Sequence, residues 1–185
     1  VCLHGRPKMP DSLILLSLLF SLTQGVDVGG WNKWSYVYEP SYLPLPPNTR
    51  VENAHGIAID KHGSIVITYK DLGSDSRCLL RWHRRSGYER YPEFLGPGSR
   101  LCAGVPHGLL ADIDEDGEQV LYHANNEQAL HKTNMSGGII WSTIGPLNKT
   151  EEKYSPTWFA SKPDSPHAYL ADGYGASKIY IVDKK

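Results

Sequence analysis

The sequence predicts an all-β fold, and three observations support this prediction. A short phrase is repeated, from His55 to Asp60, from His107 to Asp112 and, in reduced form, from Pro156 to Ala160. Each copy is followed by short runs rich in β-branched and aromatic residues, which favour strands. No segment after residue 25 shows a sustained helical period, and 13 prolines and 18 glycines interrupt the 185 residues. We therefore expect short strands joined by turns.

The spacing of the repeats indicates the architecture. The first two copies begin 52 residues apart, at His55 and His107, and the third follows after a similar interval. Repeats of this length are typical of propellers and solenoids. Each copy gives a strand, a tight turn, a second strand and, after a polar loop, a third, and a fourth is visible in the first two copies. Four short antiparallel strands make one propeller blade, so we expect about three blades, at residues 54–96, 106–145 and 156–185.

An acidic string in the second repeat has two interpretations. Residues 112–117 begin like a calcium-binding loop, but the glutamate required at loop position twelve would fall on His123. The first repeat makes a hairpin turn at the equivalent residues 60–63. A hairpin turn is therefore the expected structure for the acidic string.

The N-terminal residues resemble a targeting segment. From Met9, a short polar stretch leads into the apolar run 13–22, and the small residues Thr23 and Gly25 follow. This run suits a signal peptide and is too short to span a bilayer of roughly 30 Å. The alternatives are a buried strand or an uncleaved anchor. We expect upstream residues plus signal peptide at 1–25, a lead-in segment rich in Pro, Tyr and Trp at 26–50, and the propeller fragment at 51–185. The protein is then secreted or lumenal, with no stable membrane span once the signal is removed.

In a secreted protein, two of the cysteines are candidates for a disulfide and two asparagines are candidates for glycosylation. Cys2 precedes the signal, so Cys78 and Cys102 remain as candidates for a disulfide in an oxidising compartment, the alternative being two apolar free thiols. Asn134 and Asn148 each begin a glycan acceptor triplet.

Charge and missing motifs exclude several function classes. The net charge of −1 is far from the clustered basic surface that nucleic acids require. The basic run 81–85 is better explained as a solvated strand end than as an anion site. The sequence has no Gly-x-Ser-x-Gly elbow, no phosphate-binding glycine loop, no Cys-x-x-Cys and no His-Glu-x-x-His.

Three motifs are similar to those of a known family. They are Pro106-His107-Gly108-Leu109, then Pro156-Thr157, and then Ala171-Asp172-Gly173-Tyr174-Gly175-Ala176-Ser177-Lys178-Ile179. With them, residues 51–185 resemble NHL-type six-bladed β-propellers, and within these the peptidyl-α-hydroxyglycine α-amidating lyase group. That family writes the corresponding segments as PHGLSID, PTDVAV and SDGYCNSRI.

The resemblance implies roles for five residues. His107 would be one of several histidines that hold zinc on the propeller axis, and Tyr174 would be the catalytic base. Lys70 aligns with an arginine that lowers the pKa of that tyrosine. The backbone carbonyls of Ala54 and Leu109 would help to hold a calcium ion. Zinc and calcium are therefore the cofactors that the resemblance implies.

The chain also departs from the family. Lys70 replaces an arginine and loses its planar fork of donors. Gly175 stands in place of a half-cystine, Lys178 in place of an arginine, and Trp158 in place of an aspartate. Because of these departures, we expect a noncatalytic propeller that binds a peptide, glycan or protein partner. The alternative is a zinc-dependent lyase that releases a peptide amide and glyoxylate, and a third option is another hydrolytic or lactonase-like activity.

Purely structural roles are an alternative for the same side chains. His55 and His107 would also serve as caps of inner strands, and Tyr174 as a channel-lining residue. His123 and His131 flank a polar loop, where we expect them to support loop structure rather than bind a metal. Three blades are about half of a six-bladed ring and leave exposed edges, so we expect an open fragment of a longer protein.

Overall fold

A computed structural model describes residues 26–31, 34–39, 41–73, 77–84, 90–96, 99–126, 129–145, 153–162 and 164–185. The predicted signal peptide and the acceptor Asn148 lie outside these residues.

The all-β prediction is confirmed. The described residues form antiparallel sheets and one helix of a single turn, α1 (Ser99–Cys102). The strands are β1 (Val26–Trp31), β2 (Trp34–Tyr38), β3 (Val51–Glu52), β4 (Ile57–Ile59), β5 (Ile65–Thr68), β6 (Lys70–Asp71), β7 (Leu79–Arg84), β8 (Arg90–Phe94), β9 (Pro106–Ile113), β10 (Gln119–Asn125), β11 (Ala129–Asn134), β12 (Ile139–Ile144), β13 (Trp158–Ser161), β14 (His167–Asp172) and β15 (Lys178–Asp183). Among the described residues, no helix is long and apolar enough to cross a membrane.

The chain divides into two compact units, one ending at Tyr42 and one running from Leu43 to Lys185. In the first unit, β1 and β2 pair as an antiparallel hairpin with a register shift between Asp27 and Gly29. The sequence analysis treated this region as a lead-in segment without strands. The valines, tyrosines and tryptophans that made it distinctive are also residues that favour strands.

Three sheets make up most of the second unit, and each begins at one copy of the repeated phrase. The first sheet has the order β4-β5-β7-β8, the second β9-β10-β11-β12, and the third β13-β14-β15. A further two-stranded ladder pairs β3 with β6. The described residues contain no closed ring of sheets.

The hairpin turns of the first two sheets are specified locally. Asp60 Oδ1 accepts hydrogen bonds from the backbone N–H groups of His62 (2.8 Å) and Ser64 (2.7 Å). In the second sheet, the Asp114 N–H donates to the Glu118 carbonyl at 2.8 Å, and Gly117 has a φ of 83°. The acidic string therefore forms the expected hairpin turn between β9 and β10.

The three sheets pack face to face in chain order. We call the face of a sheet that is turned to the following repeat its trailing face, and the opposite one its leading face. Ala58 and Val66, on the trailing face of the first sheet, share a buried cluster with Leu109 and Leu121 of the second sheet. The second contact is a separate cluster, which joins Val120, Tyr122, Ala124 and Leu130 to Phe159, Ala168 and Leu170. The core of this unit thus lies between successive sheets.

Glycine at the start of a sheet allows the next sheet to come close. A Cβ atom on Gly56 would lie 2.7 Å from the His107 carbonyl oxygen, and one on Gly108 would lie 2.5 Å from the Thr157 carbonyl oxygen. Such distances are too short for any larger residue without backbone movement. The hydroxyl of Thr68 also accepts from the Gly56 N–H and donates to the His107 carbonyl, each at 3.1 Å.

The leading face of the first sheet is partly covered by the chain that precedes it. Leu43 and Val51 pack against the buried Leu80 and Trp82. The indole N–H of Trp82 donates to the Pro44 carbonyl at 2.7 Å. The segment before the repeats therefore covers part of this side of the core.

Candidate functional site

Three polar aromatic side chains meet where the sheets begin. His55 lies two residues before the start of β4, His107 is the second residue of β9, and Tyr174 follows β14. The imidazole rings of His55 and His107 are stacked, with centroids 4.0 Å apart and planes inclined by 10°. The Tyr174 ring meets His107 edge to face, with centroids 5.2 Å apart. We call these three residues the His–Tyr cluster.

The hydrogen bonds of His107 define its tautomer. Its Nδ1 atom lies 2.9 Å from the carbonyl oxygen of Thr157. A carbonyl can only accept, so Nδ1 carries the proton and Nε2 of the neutral ring presents a lone pair. The Tyr174 hydroxyl, 3.3 Å away, then donates to Nε2 in a long hydrogen bond.

The environment keeps the His107 ring neutral. Burial lowers the pKa of His107 from its usual value, and the nearby His55 imidazole lowers it further, while the bond to Thr157 works in the opposite direction. At neutral pH the ring is therefore an acceptor at Nε2 rather than a cation.

Asp172 holds the turn that carries Tyr174. This carboxylate is fully buried, and it accepts from the N–H groups of Ser155 (2.6 Å) and Ala176 (2.7 Å). The Tyr174 N–H donates to the Ser155 carbonyl at 3.3 Å. Asp172 thus fixes both the turn and the segment against which the turn rests.

Gly175 is required by this turn. A Cβ atom there would lie 2.1 Å from Asp172 Oδ1 and 2.4 Å from the Lys153 carbonyl oxygen. The half-cystine of the resembling family would not fit at this position without a rearrangement of the turn.

The cluster is open to a ligand. The Tyr174 side chain is 55% exposed, and His107 is half-buried. A small polar group can therefore approach the phenol oxygen and the imidazole edge from solvent.

The sequence aligned Lys70 with an arginine that acts on the catalytic tyrosine of the resembling family. Lys70 is exposed in β6, where its backbone pairs with Glu52 of β3. Its side chain forms no ion pair or hydrogen bond with the cluster in the part of the chain that the structure describes. The role of Lys70 beside Tyr174 stays a prediction that rests on the resemblance alone.

The two residues predicted to offer backbone carbonyls also have defined places. Ala54 is exposed and immediately precedes His55 in the sequence. Leu109 lies within β9, with its side chain buried in the cluster between the first and second sheets.

One nitrogen of His107 is free of a proton and could serve as a metal ligand. The Thr157 carbonyl fixes the ring through Nδ1, as hydrogen-bonded carbonyls commonly do for metal-bound histidines, and it leaves Nε2 unprotonated. Catalytic zinc usually takes three protein ligands. The described residues contain no group of three or more His, Cys, Asp or Glu side chains placed to hold a metal.

His123 and His131 lie in strands rather than supporting a loop. They face each other across β10 and β11, and both are buried. His123 Nε2 lies 2.9 Å from the Thr133 hydroxyl, and His131 Nδ1 lies 2.7 Å from the Ser142 hydroxyl. Burial lowers the pKa of His123 to about 3, with a further contribution from His131. The expectation of a loop role was wrong, because the strands extend to both sides of the short connection.

The remaining predicted sites are two cysteines and an asparagine. Cys78 and Cys102 form a disulfide. Asn134 is exposed at the end of β11, and its Oδ1 atom accepts from the N–H groups of Ser136 (3.0 Å) and Gly138 (2.8 Å).

Comparison with known proteins adds little to this geometry. No protein-family model matches the chain, and no curated protein matches it. Among solved structures, the chain is similar to a protein of unknown function from Bacteroides caccae, with 18% identity over 88% of this chain and 73% of that one. The TM-score is 0.33, a value at which the similarity supports no inference about fold or function.

Proposed function

We propose that this chain contributes three blades to an NHL-type β-propeller and that its His–Tyr cluster binds a peptide partner. The three sheets pack in chain order, with β4 beside β9 and β9 beside β13, and this packing supports the propeller. In this arrangement, the starts of β4, β9 and β13 lie toward the axis, where propellers commonly place their ligand sites.

The observation that supports binding is the His–Tyr cluster itself. A neutral imidazole, a second stacked imidazole and a half-exposed phenol offer hydrogen-bond donors, acceptors and flat ring surfaces in one place. Peptide carbonyl, amide and carboxylate groups match these donors and acceptors. Asp172 and Gly175 hold the phenol in position before a ligand arrives, which lowers the entropic cost of binding.

Titration calorimetry with short peptides that end in glycine tests this proposal. We expect the Tyr174→Phe and His107→Gln variants to weaken binding about tenfold each, because each removes one hydrogen bond worth about 1 kcal/mol or more. Tyr91→Phe, which alters an exposed tyrosine of the first sheet, is the matched control and should bind normally. Absence of binding by the unmodified chain, or equal binding by all variants, would refute the proposal.

A lyase is the second candidate, and the 3.3 Å contact between His107 Nε2 and Tyr174 supports it. In this reaction, a base removes the hydroxyl proton of a peptidyl-α-hydroxyglycine, the C–N bond breaks, and the departing nitrogen takes a proton. The products are a peptide amide and glyoxylate. With its hydroxyl no longer donating to Nε2, Tyr174 would act as the base in its deprotonated form. His107 Nε2 would then supply one ligand to a zinc ion, which would stabilise the developing charge when bound.

Two measurements separate the candidates. The lyase requires bound zinc by elemental analysis and glyoxylate release from a peptidyl-α-hydroxyglycine, and Tyr174→Phe should remove the release but retain the zinc. Peptide binding without zinc and without glyoxylate contradicts the lyase and supports the binding function.

We also propose that the protein is secreted. The disulfide between Cys78 and Cys102 supports this, since such bonds persist in oxidising compartments. Expression in secretory cells should deliver the chain to the medium with residues 1–25 removed. Retention of the uncleaved chain inside the cells would contradict secretion.

A further inference from the structure

The hairpin turn between β11 and β12 carries one of the two glycan acceptor triplets. Asn134 ends β11, and it forms the pattern Asn-x-Ser with Met135 and Ser136. The turn is closed by backbone hydrogen bonds from the Asn134 N–H to the Gly138 carbonyl at 2.9 Å and from the Gly137 N–H to the Asn134 carbonyl at 3.0 Å. Asn134 and Ser136 are exposed, whereas Met135 is half-buried. The acceptor asparagine therefore has a defined and accessible place in the fold.

The side-chain amide of Asn134 has its oxygen occupied and its nitrogen open. Oδ1 accepts from the N–H groups of Ser136 and Gly138, so the oxygen is directed into the turn. Within the residues that the structure describes, Nδ2 makes no hydrogen bond. A Cβ atom on Gly138 would lie 2.9 Å from Nδ2, so glycine at this position leaves space beside the amide nitrogen. A sugar on Nδ2 would thus leave every hydrogen bond of the turn intact.

A groove of about 660 Å³ lies beside Asn134, between the first and second sheets. The turns that follow β4, β9 and β11 form its walls, and most of the side chains that line it are polar. Ile140, which is 51% exposed, lies in the same groove. Both sheets have all four of their strands, and Gln119 Oε1 links the two walls by accepting from the Lys61 N–H at 2.9 Å. The groove is therefore defined by two complete sheets.

We propose that Asn134 carries an N-linked glycan whose first sugar lies in this groove. The inference rests on the proposed secretion, because this modification belongs to secreted proteins. In the reaction, Nδ2 attacks the anomeric carbon of an oligosaccharide that is carried on a lipid pyrophosphate. The new C–N bond replaces the C–O bond to the pyrophosphate, which departs, and Nδ2 loses one proton. The hydroxyl groups of the sugar match the polar walls, and its ring covers part of Ile140.

The glycan and the His–Tyr cluster lie at opposite ends of the second sheet. His107 is the second residue of β9, whereas Asn134 is the last residue of β11, which runs in the same direction as β9. Asn134 and Asp112, near the end of β9, both pair with Val120. Removal of the glycan should therefore leave peptide binding at the cluster unchanged.

Mass spectrometry of the full chain, expressed in secretory animal cells, tests the modification. We expect Asn134→Gln and Ser136→Ala each to remove the mass of one N-linked glycan, whereas Ser136→Thr keeps the acceptor pattern and should retain it. Asn148→Gln is the matched control for the other triplet and should leave the glycan on Asn134. A secreted chain without a glycan on Asn134 contradicts this proposal alone. A chain that never enters the secretory pathway contradicts the glycan and the secretion together.

Enzymatic trimming tests the position of the first sugar. Protein trimmed to a single N-acetylglucosamine on Asn134 should unfold at the same urea concentration as the full glycoprotein, because the sugar in the groove remains. Ser136→Ala keeps Asn134 and its turn but lacks the sugar, so it should unfold at a lower concentration. In the bacterial periplasm, which adds no such glycan, Ser136→Ala and the unmodified chain should unfold alike. Equal midpoints for Ser136→Ala and the trimmed glycoprotein would place the sugar in solvent and overturn its position in the groove.

Discussion

The burial of His123 makes the stability of the protein depend on pH. Its ring lies in β10 at 3% exposure, with Nε2 beside the Thr133 hydroxyl. Burial lowers its pKa to about 3, so the folded protein holds it neutral where an unfolded chain would protonate it. A base with a lowered folded-state pKa destabilises the fold as the pH falls below its unfolded value. The lowered pKa of His107 acts in the same direction.

We therefore predict that the protein becomes less stable between pH 7.5 and pH 5. With an unfolded pKa of about 6.5, His123 alone should cost about 2 kcal/mol at pH 5, at about 1.4 kcal/mol per pH unit. Urea unfolding at the two pH values measures this difference. The His123→Gln variant should lose most of the difference, whereas His62→Gln, at an exposed turn, should retain it. Equal pH dependence in both variants would show that His123 is not the cause.

At the scale of strands and sheets, close approach at glycine decides how the second and third sheets meet. The Thr157 carbonyl both faces Gly108 and accepts the hydrogen bond from His107. The packing of the second sheet on the third and the tautomer of His107 therefore depend on the same contact. A change at Gly108 should affect stability and binding together.

Gly108→Ala is predicted to destabilise the protein by about 1–3 kcal/mol, because the added methyl group overpacks a contact with backbone atoms. Peptide binding should weaken as well, since displacement of Thr157 releases the His107 ring. Urea unfolding and calorimetry measure the two effects. Gly117→Asn is the control, because a Cβ atom there meets nothing within 4 Å and asparagine tolerates its φ of 83°. Normal stability of Gly108→Ala would contradict the packing argument.

The elements that the sequence predicted are those with a local signal. The repeated phrase and alternating apolar residues predicted the strands that follow His55 and His107, and the acidic string predicted the turn after β9. The ladder of β3 and β6 was missed because two-residue strands have no period to detect. β1 and β2 were missed because residues 26–50, rich in Pro, Tyr and Trp, were interpreted only as a lead-in segment.

The candidate site was predictable only in part. Motifs identified His107 and Tyr174, and the structure brings these two side chains together. The stacking of His55 on His107 depends on how the first two sheets pack. The spacing of 52 positions between the two histidines does not predict that packing. Lys70 was assigned by alignment alone, and the structure shows it exposed in β6, where it pairs with Glu52.

At the scale of the whole molecule, polar contacts join the end of the chain to the second sheet. Lys184 Nζ lies 2.7 Å from Asp112 Oδ2, and Lys132 Nζ donates to the Lys184 carbonyl at 2.7 Å. Lys132 also pairs with Asp114 at 2.8 Å. These contacts fix the end of β15 against the second sheet, while Gly108 and Thr157 define the contact at the start of the third sheet.

The disulfide links the first sheet to the short helix that precedes the second sheet. Cys78, just before β7, is joined to Cys102 in α1, and both side chains contact the cluster between the first and second sheets. The two cysteines are 24 residues apart, so the bond restricts a substantial loop of the unfolded chain. We predict that Cys78→Ala/Cys102→Ala lowers the free energy of unfolding by about 3.5 kcal/mol, the value expected for a loop of this length. Urea unfolding of the oxidised protein measures the effect, and reduction of the unmodified chain should reproduce it. Reduction of the double variant is the control and should leave its midpoint unchanged. If the double variant unfolded at the same urea concentration as the unmodified chain, apolar packing alone would hold the first two sheets together, and the bond would have no stabilising role.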